Sequence, residues 1–207
     1  DLADRLRQIR DHGKAQGSSR PKAISEFVRP YRVTALGNNY RLSEMQAAFA
    51  RGQLSQFEEF RARRRHAYQT LRQALQNTPG LEFQAIRPGA EPSYIYMPVI
   101  FPRENFRVPI EQIVAAMYAE GVATHAIGLD ELDHVHPLFS EPEGRATAIA
   151  FQLRGDDPPP AYGWGTLPVA EKLSSEILTL PMHPALVDED IADVIAATRK
   201  VARAYHQ

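Results

Sequence analysis

A polar turn in the first quarter of the chain carries side chains that can bind a phosphate or a carboxylate. Its sequence is Gly37-Asn38-Asn39-Tyr40-Arg41. Asparagine tolerates tight turns and offers both hydrogen-bond donors and acceptors. An arginine guanidinium can hold an oxyanion through two parallel N–H groups. From the residues alone, a purely structural turn and a ligand-binding turn are both open, and Arg41 suits a structural salt bridge equally well.

A second group of candidate residues contains two histidines. His134 and His136 lie two positions apart, with Asp130 and Asp133 close by. Imidazole and carboxylate are zinc ligands, so a metal site has to be considered. No third convergent ligand can be named from the spacing, and we therefore predict no metal site.

The polar turn leads into the strongest helical pattern of the chain. Ser43 and Gln46 form a capping-box pattern, in which each side chain satisfies a backbone N–H of the first helical turn. We predict one continuous helix to about residue 76, stopped by Pro79-Gly80; at 1.5 Å per residue it is on the order of 50 Å long and suits a connection between two domains. Its apolar stripe consists of Met45, Phe49, Phe57, Phe60, Ala67, Leu71 and Leu75.

Shorter elements surround this helix. Before it we predict a helix from Leu2 that ends at Gly13, and then a loop over residues 14–37. After it the periodicity alternates between strand and helix, which indicates an α/β or α+β domain. Its predicted elements are strands over 94–101, 122–125 and 177–180, helices over 110–120, 167–173 and from a cap at Asp188 to the end, and a loop or substrate flap over 140–166.

Composition excludes several classes of protein. The 207 residues have a formal net charge of −1, whereas nucleic-acid binding usually needs a basic face. There is no cysteine, which excludes disulfides and thiolate chemistry. No apolar run approaches the roughly 20 residues that span a bilayer. We therefore expect no nucleic-acid or membrane partner and a cytoplasmic location.

Two segments of the chain resemble one family of enzymes. The polar turn with the helix start Leu42–Ala48, and the segment Ser175–Pro184 far downstream, are similar to the DegT or StrS sugar aminotransferases, which use pyridoxal phosphate (PLP). The resemblance covers nearly the whole chain. It implies an α/β fold, the C-terminal part of a fold-type I PLP-dependent transferase. Residues 1–80 would form the edge of the large domain and the interdomain helix, and residues 81–207 the small domain.

The resemblance also implies roles for individual residues. Asn39 matches an asparagine that reaches across a dimer interface to the cofactor phosphate of the other subunit. Tyr40 and Arg41 would lie at the active-site mouth, where Arg41 could bind a substrate diphosphate. His134, three residues before Pro137-Leu138-Phe139, would contact substrate. His136 and His183 are expected to be structural, with His183 capping or packing at the turn after a strand.

The resemblance leaves the reactive amine unassigned. Transamination by PLP needs a lysine that forms a Schiff base with the cofactor. None of Lys14, Lys22, Lys172 and Lys200 has the family's context. We therefore expect no catalytic residue in this chain, and a Schiff-base lysine upstream of it on a large-domain segment. A separate chain that carries this segment is one of the options left open.

The resemblance implies an aminotransferase that acts on a keto-sugar nucleotide or keto-cyclitol, with glutamate or another amino acid as donor, and that forms a homodimer. Two alternatives stay open: a non-catalytic truncated or split subunit that serves as a binding or dimerisation module, and an aromatising aminodehydroquinate-type synthase.

Two further features are interpreted as structural. Arg61, Arg63, Arg64 and Arg65 follow acidic residues on the long helix, and at a net charge near zero this indicates a solvated or interface face. The sole tryptophan, Trp164, is assigned to packing.

Overall fold

A computed structural model describes residues 2–14, 34–126, 132–147 and 162–207. Most of the predicted loop over 14–37, Lys22, Asp130 and the three prolines at 158–160 lie outside the described residues. The chain divides into two compact units, residues 1–57 and residues 58–207, and each is described by itself.

The first unit contains two helices, and both begin where the sequence predicts. Helix α1 spans Leu2–Arg10, and Gly13 follows it with a φ of +72°, in the left-handed region that favours glycine. Helix α2 spans Glu44–Ser55. Its capping box is confirmed, because Gln46 N donates to Ser43 Oγ (3.2 Å) and Ser43 N donates to Gln46 Oε1 (2.9 Å).

The predicted long helix is interrupted once. Helix α3 spans Phe57–Leu75, so the helical hydrogen bonding stops at Gln56 and resumes one residue later. Gln56 N donates to the carbonyl of Gln53 (3.1 Å), a tightened final turn, and Ser55 Oγ donates to the carbonyl of Gly52 (2.8 Å). A glycine, the weakest ordinary helix former, and a serine that bonds the preceding backbone explain why α2 ends here.

The second unit contains a four-stranded antiparallel sheet in the order β1-β2-β4-β3. The strands are β1 (Glu82–Phe83), β2 (Met97–Ile100), β3 (His125–Ala126) and β4 (Ile177–Leu180). Strand β4 agrees with its prediction. The strand predicted from residue 94 begins only at residue 97, because Tyr94 has a positive φ of 55° and cannot continue an extended ladder.

The helices of the second unit end close to their predicted positions. The structure has α4 (Ile110–Ala119), a 3₁₀ turn (Asp133–Val135), α5 (Pro137–Ser140), α6 (Pro142–Thr147), α7 (Pro168–Ser174) and α8 (Asp188–Tyr205). Two predictions change. Asp188 is the first helical residue rather than the cap, and Asp190 Oδ2 accepts from Val187 N (3.0 Å) instead. Residues 142–147 of the predicted flap are helical.

The core lies between the sheet and helices α3, α4 and α8. Met97 pairs with Leu180 and Val99 pairs with Leu178, and these four side chains are buried. Each helix adds one apolar stripe, as its 3.6-residue period requires. The buried helical residues are Ala67, Tyr68, Leu71 and Leu75 of α3, Ile110, Ile113 and Met117 of α4, and Ile191, Val194, Ala197, Val201 and Ala202 of α8.

The apolar stripe of α2, in contrast, stays exposed. Met45 is 85% exposed and Phe49 is 71% exposed, although both belong to the stripe that α3 continues into the core. Leu36, Tyr40, Leu42 and Leu54 of the same unit are also more than half exposed. Contiguous apolar exposure of this kind marks a surface that is covered by another segment or another chain.

The domain boundary predicted at residue 80 is not tested by this structure and stays a prediction. Within this chain, α3 contributes to the core of residues 58–207. Across the described ranges, no helix combines the length and the apolar character needed to cross a membrane.

Replacement of Leu71 by alanine tests the anchoring of α3. Leu71 is 1% exposed, so we expect L71A to lower the free energy of unfolding by about 2–5 kcal/mol, as large-to-small core substitutions do. Q69A, at an exposed position of the same helix, should change stability by less than about 0.5 kcal/mol. Urea denaturation followed by circular dichroism measures both, and equal effects would contradict the proposed core.

Candidate functional site

The polar turn is attached to the end of α1 by backbone hydrogen bonds. Asn38 N donates to the carbonyl of Ile9 (3.0 Å), Tyr40 N to the carbonyl of Arg10 (2.9 Å), and His12 N to the carbonyl of Asn38 (3.1 Å). The turn is therefore fixed at Asn38 and Tyr40, on either side of Asn39, so its side chains project from a defined backbone.

Two glycines allow the two segments to approach so closely. A Cβ added at Gly37 would lie 2.3 Å from the backbone nitrogen of Gly13 and 2.7 Å from the carbonyl oxygen of Ile9. A Cβ added at Gly13 would lie 1.7 Å from the carbonyl oxygen of Ala35. These distances are far inside van der Waals contact and involve backbone atoms, which cannot rotate away. Glycine is required at both positions for this crossing.

The side chain of Asn39 is oriented by Arg41. Asn39 Oδ1 accepts from Arg41 Nε (2.9 Å), and Arg41 Nη1 lies 3.6 Å from Asp11 Oδ1. Because its oxygen is used in this way, the amide presents its Nδ2 donors to other acceptors. Within the described residues Nδ2 has no protein acceptor. The Asn39 amide is therefore suited to donate to a phosphate oxygen. The Arg41 guanidinium is less available for this, because Asp11 already balances part of its charge.

Asp11 is the acidic centre of the turn. Burial by itself raises its pKa, but the hydrogen bond from Lys14 and the charges of Lys14, Arg41 and His12 together hold the pKa of Asp11 below its usual value. Lys14 Nζ lies 3.2 Å from Asp11 Oδ1. Tyr40 is 66% exposed, and its hydroxyl accepts from Asn38 Nδ2 (3.1 Å).

His134 is placed inside the second unit rather than at its surface. It is 6% exposed, and its Nε2 lies 2.9 Å from Glu171 Oε1. Sequence analysis did not identify Glu171, because the two residues are 37 positions apart and no local pattern joins them. A substrate contact by His134 stays a prediction; it would have to involve the part of the ring that does not face Glu171.

Glu171 connects His134 to the loop before α7. Its carboxylate accepts from Gly165 N (2.9 and 3.0 Å to the two oxygens) and from Leu167 N (3.1 Å). The His134 hydrogen bond is the largest cause that lowers the pKa of Glu171, and the Gly165 and Leu167 N–H groups lower it further, against a smaller opposing effect of burial. This network holds residues 165–167 against the histidine.

Three other sequence predictions have a clear structural outcome. His136 is structural as predicted, because its Nδ1 accepts from Leu138 N (3.3 Å) at the start of α5. His183 exposes its side chain after β4 and contributes to the turn through its carbonyl, which accepts from Leu186 N (3.3 Å). Trp164 is 58% exposed, so the packing assignment was wrong.

The arginine cluster of α3 is not one uniform face. Arg61 and Arg65 pair with Glu91, and Arg63 pairs with Glu59. Arg64 differs, because its Nε is buried and has no hydrogen-bond partner among the described residues. The sequence contained a signal for this: Arg64 lies four residues before Tyr68 and seven before Leu71, on the buried face.

The described residues fit a PLP phosphate but not a complete PLP site. The Asn39 amide is a suitable phosphate donor. The three described lysines are each in an ion pair, with Asp11, Glu104 and Glu120. Among the residues that the structure places, no group of three or more histidine or acidic residues could hold a metal ion.

Comparison with known proteins identifies the family. The model of the DegT/DnrJ/EryC1/StrS aminotransferase family matches residues 1–153. The chain belongs to this family. Members of the DegT/DnrJ/EryC1/StrS family are PLP-dependent.

Relatives within the family act on sugars and cyclitols. Over 208 residues the chain is 27% identical to dTDP-3-amino-3,4,6-trideoxy-alpha-D-glucose transaminase from Streptomyces venezuelae, covering 100% of the chain and 45% of the relative. It is 28% identical to L-glutamine:2-deoxy-scyllo-inosose aminotransferase from Streptoalloteichus tenebrarius, covering 98% and 47%. The chain therefore spans a little less than half the length of these relatives.

Solved structures of the DegT/DnrJ/EryC1/StrS family agree. The aminotransferase TlmJ from Streptoalloteichus hindustanus matches with a TM-score of 0.67 and 25% identity over 98% of this chain and 45% of that chain. DesV from S. venezuelae, solved with a ketimine intermediate, matches with a TM-score of 0.65 and 27% identity over 97% and 44%. The mixed α/β fold with a small antiparallel sheet and the fold-type I relationship are confirmed.

Replacement of Gly37 by alanine tests the close backbone crossing. The new Cβ would overlap backbone atoms of Gly13 and Ile9, so we expect G37A to detach the turn and to raise the amide hydrogen-exchange rates of Asn38 and Tyr40 at least about tenfold. G52A is the matched control, since a Cβ there meets nothing within 4 Å. If G37A leaves both amides as protected as G52A does, the crossing is not required.

Acid titration tests the Glu171 network. The folded pKa of Glu171 is lowered, so its contribution to stability is complete above its unfolded pKa of about 4.3 and is lost as pH falls through the folded pKa. We expect E171Q to unfold at lower urea than wild type at pH 7, with the difference shrinking below about pH 4.3. Exposed Glu141, as E141Q, is the control. A difference that is constant from pH 7 to pH 3 would exclude this ionisation as the cause.

Proposed function

We propose that this chain forms part of a PLP-dependent aminotransferase that transfers an amino group from an amino acid to a keto-sugar nucleotide or keto-cyclitol. Family membership supports the reaction class. The substrate classes follow from relatives named for a dTDP-sugar and for an inosose. Residues 1–80 would provide the edge of the large domain with the interdomain helix, and residues 81–207 the small domain.

The observation that carries the proposal is the oriented amide of Asn39. Arg41 fixes its oxygen, the Gly13–Gly37 crossing fixes its backbone, and the side chain is exposed rather than packed. A neutral donor held in this way can bind a cofactor phosphate of a second subunit without adding a charge that competes with substrate. When bound, PLP would supply the electron sink for proton removal from the amino donor.

Tyr40, Arg41 and His134 are proposed as substrate-binding residues. Tyr40 is exposed beside Asn39, and an aromatic ring there can cover a sugar or base. Arg41 would use the guanidinium nitrogens that do not contact Asn39 for a diphosphate. His134, held by Glu171, would present the remaining part of its ring. No catalytic residue is assigned to this chain.

A homodimer is the proposed assembly. The exposed apolar side chains of Met45, Phe49 and Leu54 on α2 would be buried by the rest of the enzyme, whether it lies on the same polypeptide or on another. The Schiff-base amine is proposed to come from those other residues, because the described lysines are all in ion pairs. A cytoplasmic location remains a prediction.

A non-catalytic binding or dimerisation module is the second candidate. The same exposed apolar surface favours it, because such a surface also suits a subunit whose task is to associate. The two candidates differ in one measurable property. Only the aminotransferase reading requires Asn39 to affect cofactor affinity.

Substitution of Asn39 tests the proposed aminotransferase function. The experiment uses an assembled enzyme, in which this chain is combined with the remaining half of a family aminotransferase. N39A removes one donor to a phosphate, a charged-group hydrogen bond of about 1.5–3 kcal/mol, so we expect PLP affinity to fall roughly ten- to hundredfold. N77A, an exposed asparagine of the second unit, is the control. PLP titration measures affinity, and amino transfer from L-glutamate to a dTDP-keto-sugar measures activity.

Labelling of the isolated chain and assays of the assembled enzyme together separate the alternatives. The 207-residue chain is mixed with PLP and reduced with borohydride, and its peptides are analysed by mass spectrometry. We expect none of its four lysines to carry a stoichiometric amount of reduced cofactor. A single specifically labelled lysine would show that the amine lies within the chain. Unchanged PLP affinity in N39A, or an assembled protein without amino transfer, would instead favour the non-catalytic module.

A further inference from the structure

A cavity in the second unit lies outside every role assigned so far. It has a volume of about 420 Å³ and is bounded by α3, the segment before β2, α4, the start of β3 and the end of β4. This size lies within the range of small-molecule sites. All of its described lining residues belong to residues 58–207, within one compact unit.

Two buried polar groups on its lining have no hydrogen-bond partner among the described residues. They are Arg64 Nε and Thr124 Oγ1. Thr124 is 4% exposed. A buried N–H or hydroxyl without a partner is unfavourable and uncommon in folded proteins, and each case requires an explanation. Arg64 and Thr124 both line this one cavity, which is the basis for considering one ligand for both groups.

The charges on the lining indicate the sign of that ligand. Of the described lining residues none is acidic, while Arg64 contributes a full positive charge. The neighbouring Arg63 is paired with Glu59, but Arg64 has no ion pair within the described residues. A partly buried guanidinium without a counter-ion favours an anion in the cavity.

The rest of the lining indicates the body of the ligand. His125 and His183 place two further imidazoles beside the cavity, and each imidazole carries at least one N–H donor. Tyr96 and Tyr118 line the rim and are 68% and 57% exposed. The remaining lining is mostly apolar. The cavity thus combines one guanidinium fork with flat aromatic and aliphatic surface.

We propose that this cavity binds the carboxylate of a small organic acid. The Arg64 guanidinium would hold the carboxylate in a fork, the Thr124 hydroxyl would donate to the same group, and the aromatic rim would cover the apolar body. A carboxylate is proposed rather than a phosphate because, among the described lining residues, Arg64 is the one lysine or arginine side chain. The site needs no PLP, so it is independent of the proposed function.

Titration of the 207-residue chain with benzoate tests the proposal. We expect saturable shifts of the backbone amide resonances of Thr124 and His125, and a benzoate-dependent rise of the melting temperature. Benzamide, the neutral match in shape, should bind at least about tenfold more weakly, because it lacks the charge that a guanidinium selects. Inorganic phosphate should bind more weakly than benzoate.

Matched variants locate the site. R64Q should weaken benzoate binding at least about tenfold and T124V several-fold, whereas R63Q, one residue away and paired with Glu59, should leave it within about twofold. T124V keeps the side-chain shape and so provides a test if R64Q is unstable. The proposal would be overturned if benzamide bound as tightly as benzoate, if phosphate bound more tightly, or if R63Q lost as much affinity as R64Q. It would also be overturned if binding did not saturate by about 20 mM benzoate, a concentration at which a small ligand of ordinary affinity would saturate.

Discussion

Burial of one face of α3 in the apolar core is the interaction on which the second unit depends. Tyr68, Leu71 and Leu75 of α3 belong to the same buried cluster as the inward side chains of β2, β4, α4 and α8. Because a helix advances 100° per residue, anchoring these positions also fixes where every other side chain of α3 points. Arg64, one turn before Tyr68, is brought to the cavity wall for that reason.

The described residues of the first unit are organised by backbone hydrogen bonds, and apart from Gly13 none of them is buried. Two glycines bring the turn at Asn39 against the end of α1, while the apolar side chains of α2 stay exposed. A segment with a well-ordered backbone and exposed apolar side chains is well suited to an interface. Its order comes from backbone hydrogen bonds within the chain, and its exposed apolar side chains are available for contacts with other residues.

In the loops, hydrogen bonds from polar side chains hold the backbone and the neighbouring side chains in place. Glu171 accepts hydrogen bonds from two loop N–H groups and from His134, and Arg41 orients Asn39 beside Asp11. In each case one ionised group stabilises several neighbours at once. A charged acceptor makes stronger hydrogen bonds than a neutral one, so a single carboxylate can define a loop.

The sequence by itself determined the features that depend on neighbouring residues. The Ser43–Gln46 capping box, the glycine that ends α1 and strand β4 depend on residues within a short stretch of the chain, and all were confirmed. The resemblance of two motifs was sufficient to identify the family. The tertiary structure decided the interruption at Gln56, the pairing of His134 with Glu171, and the inward position of Arg64. These depend on contacts between residues far apart in the chain, whose energies no local pattern contains.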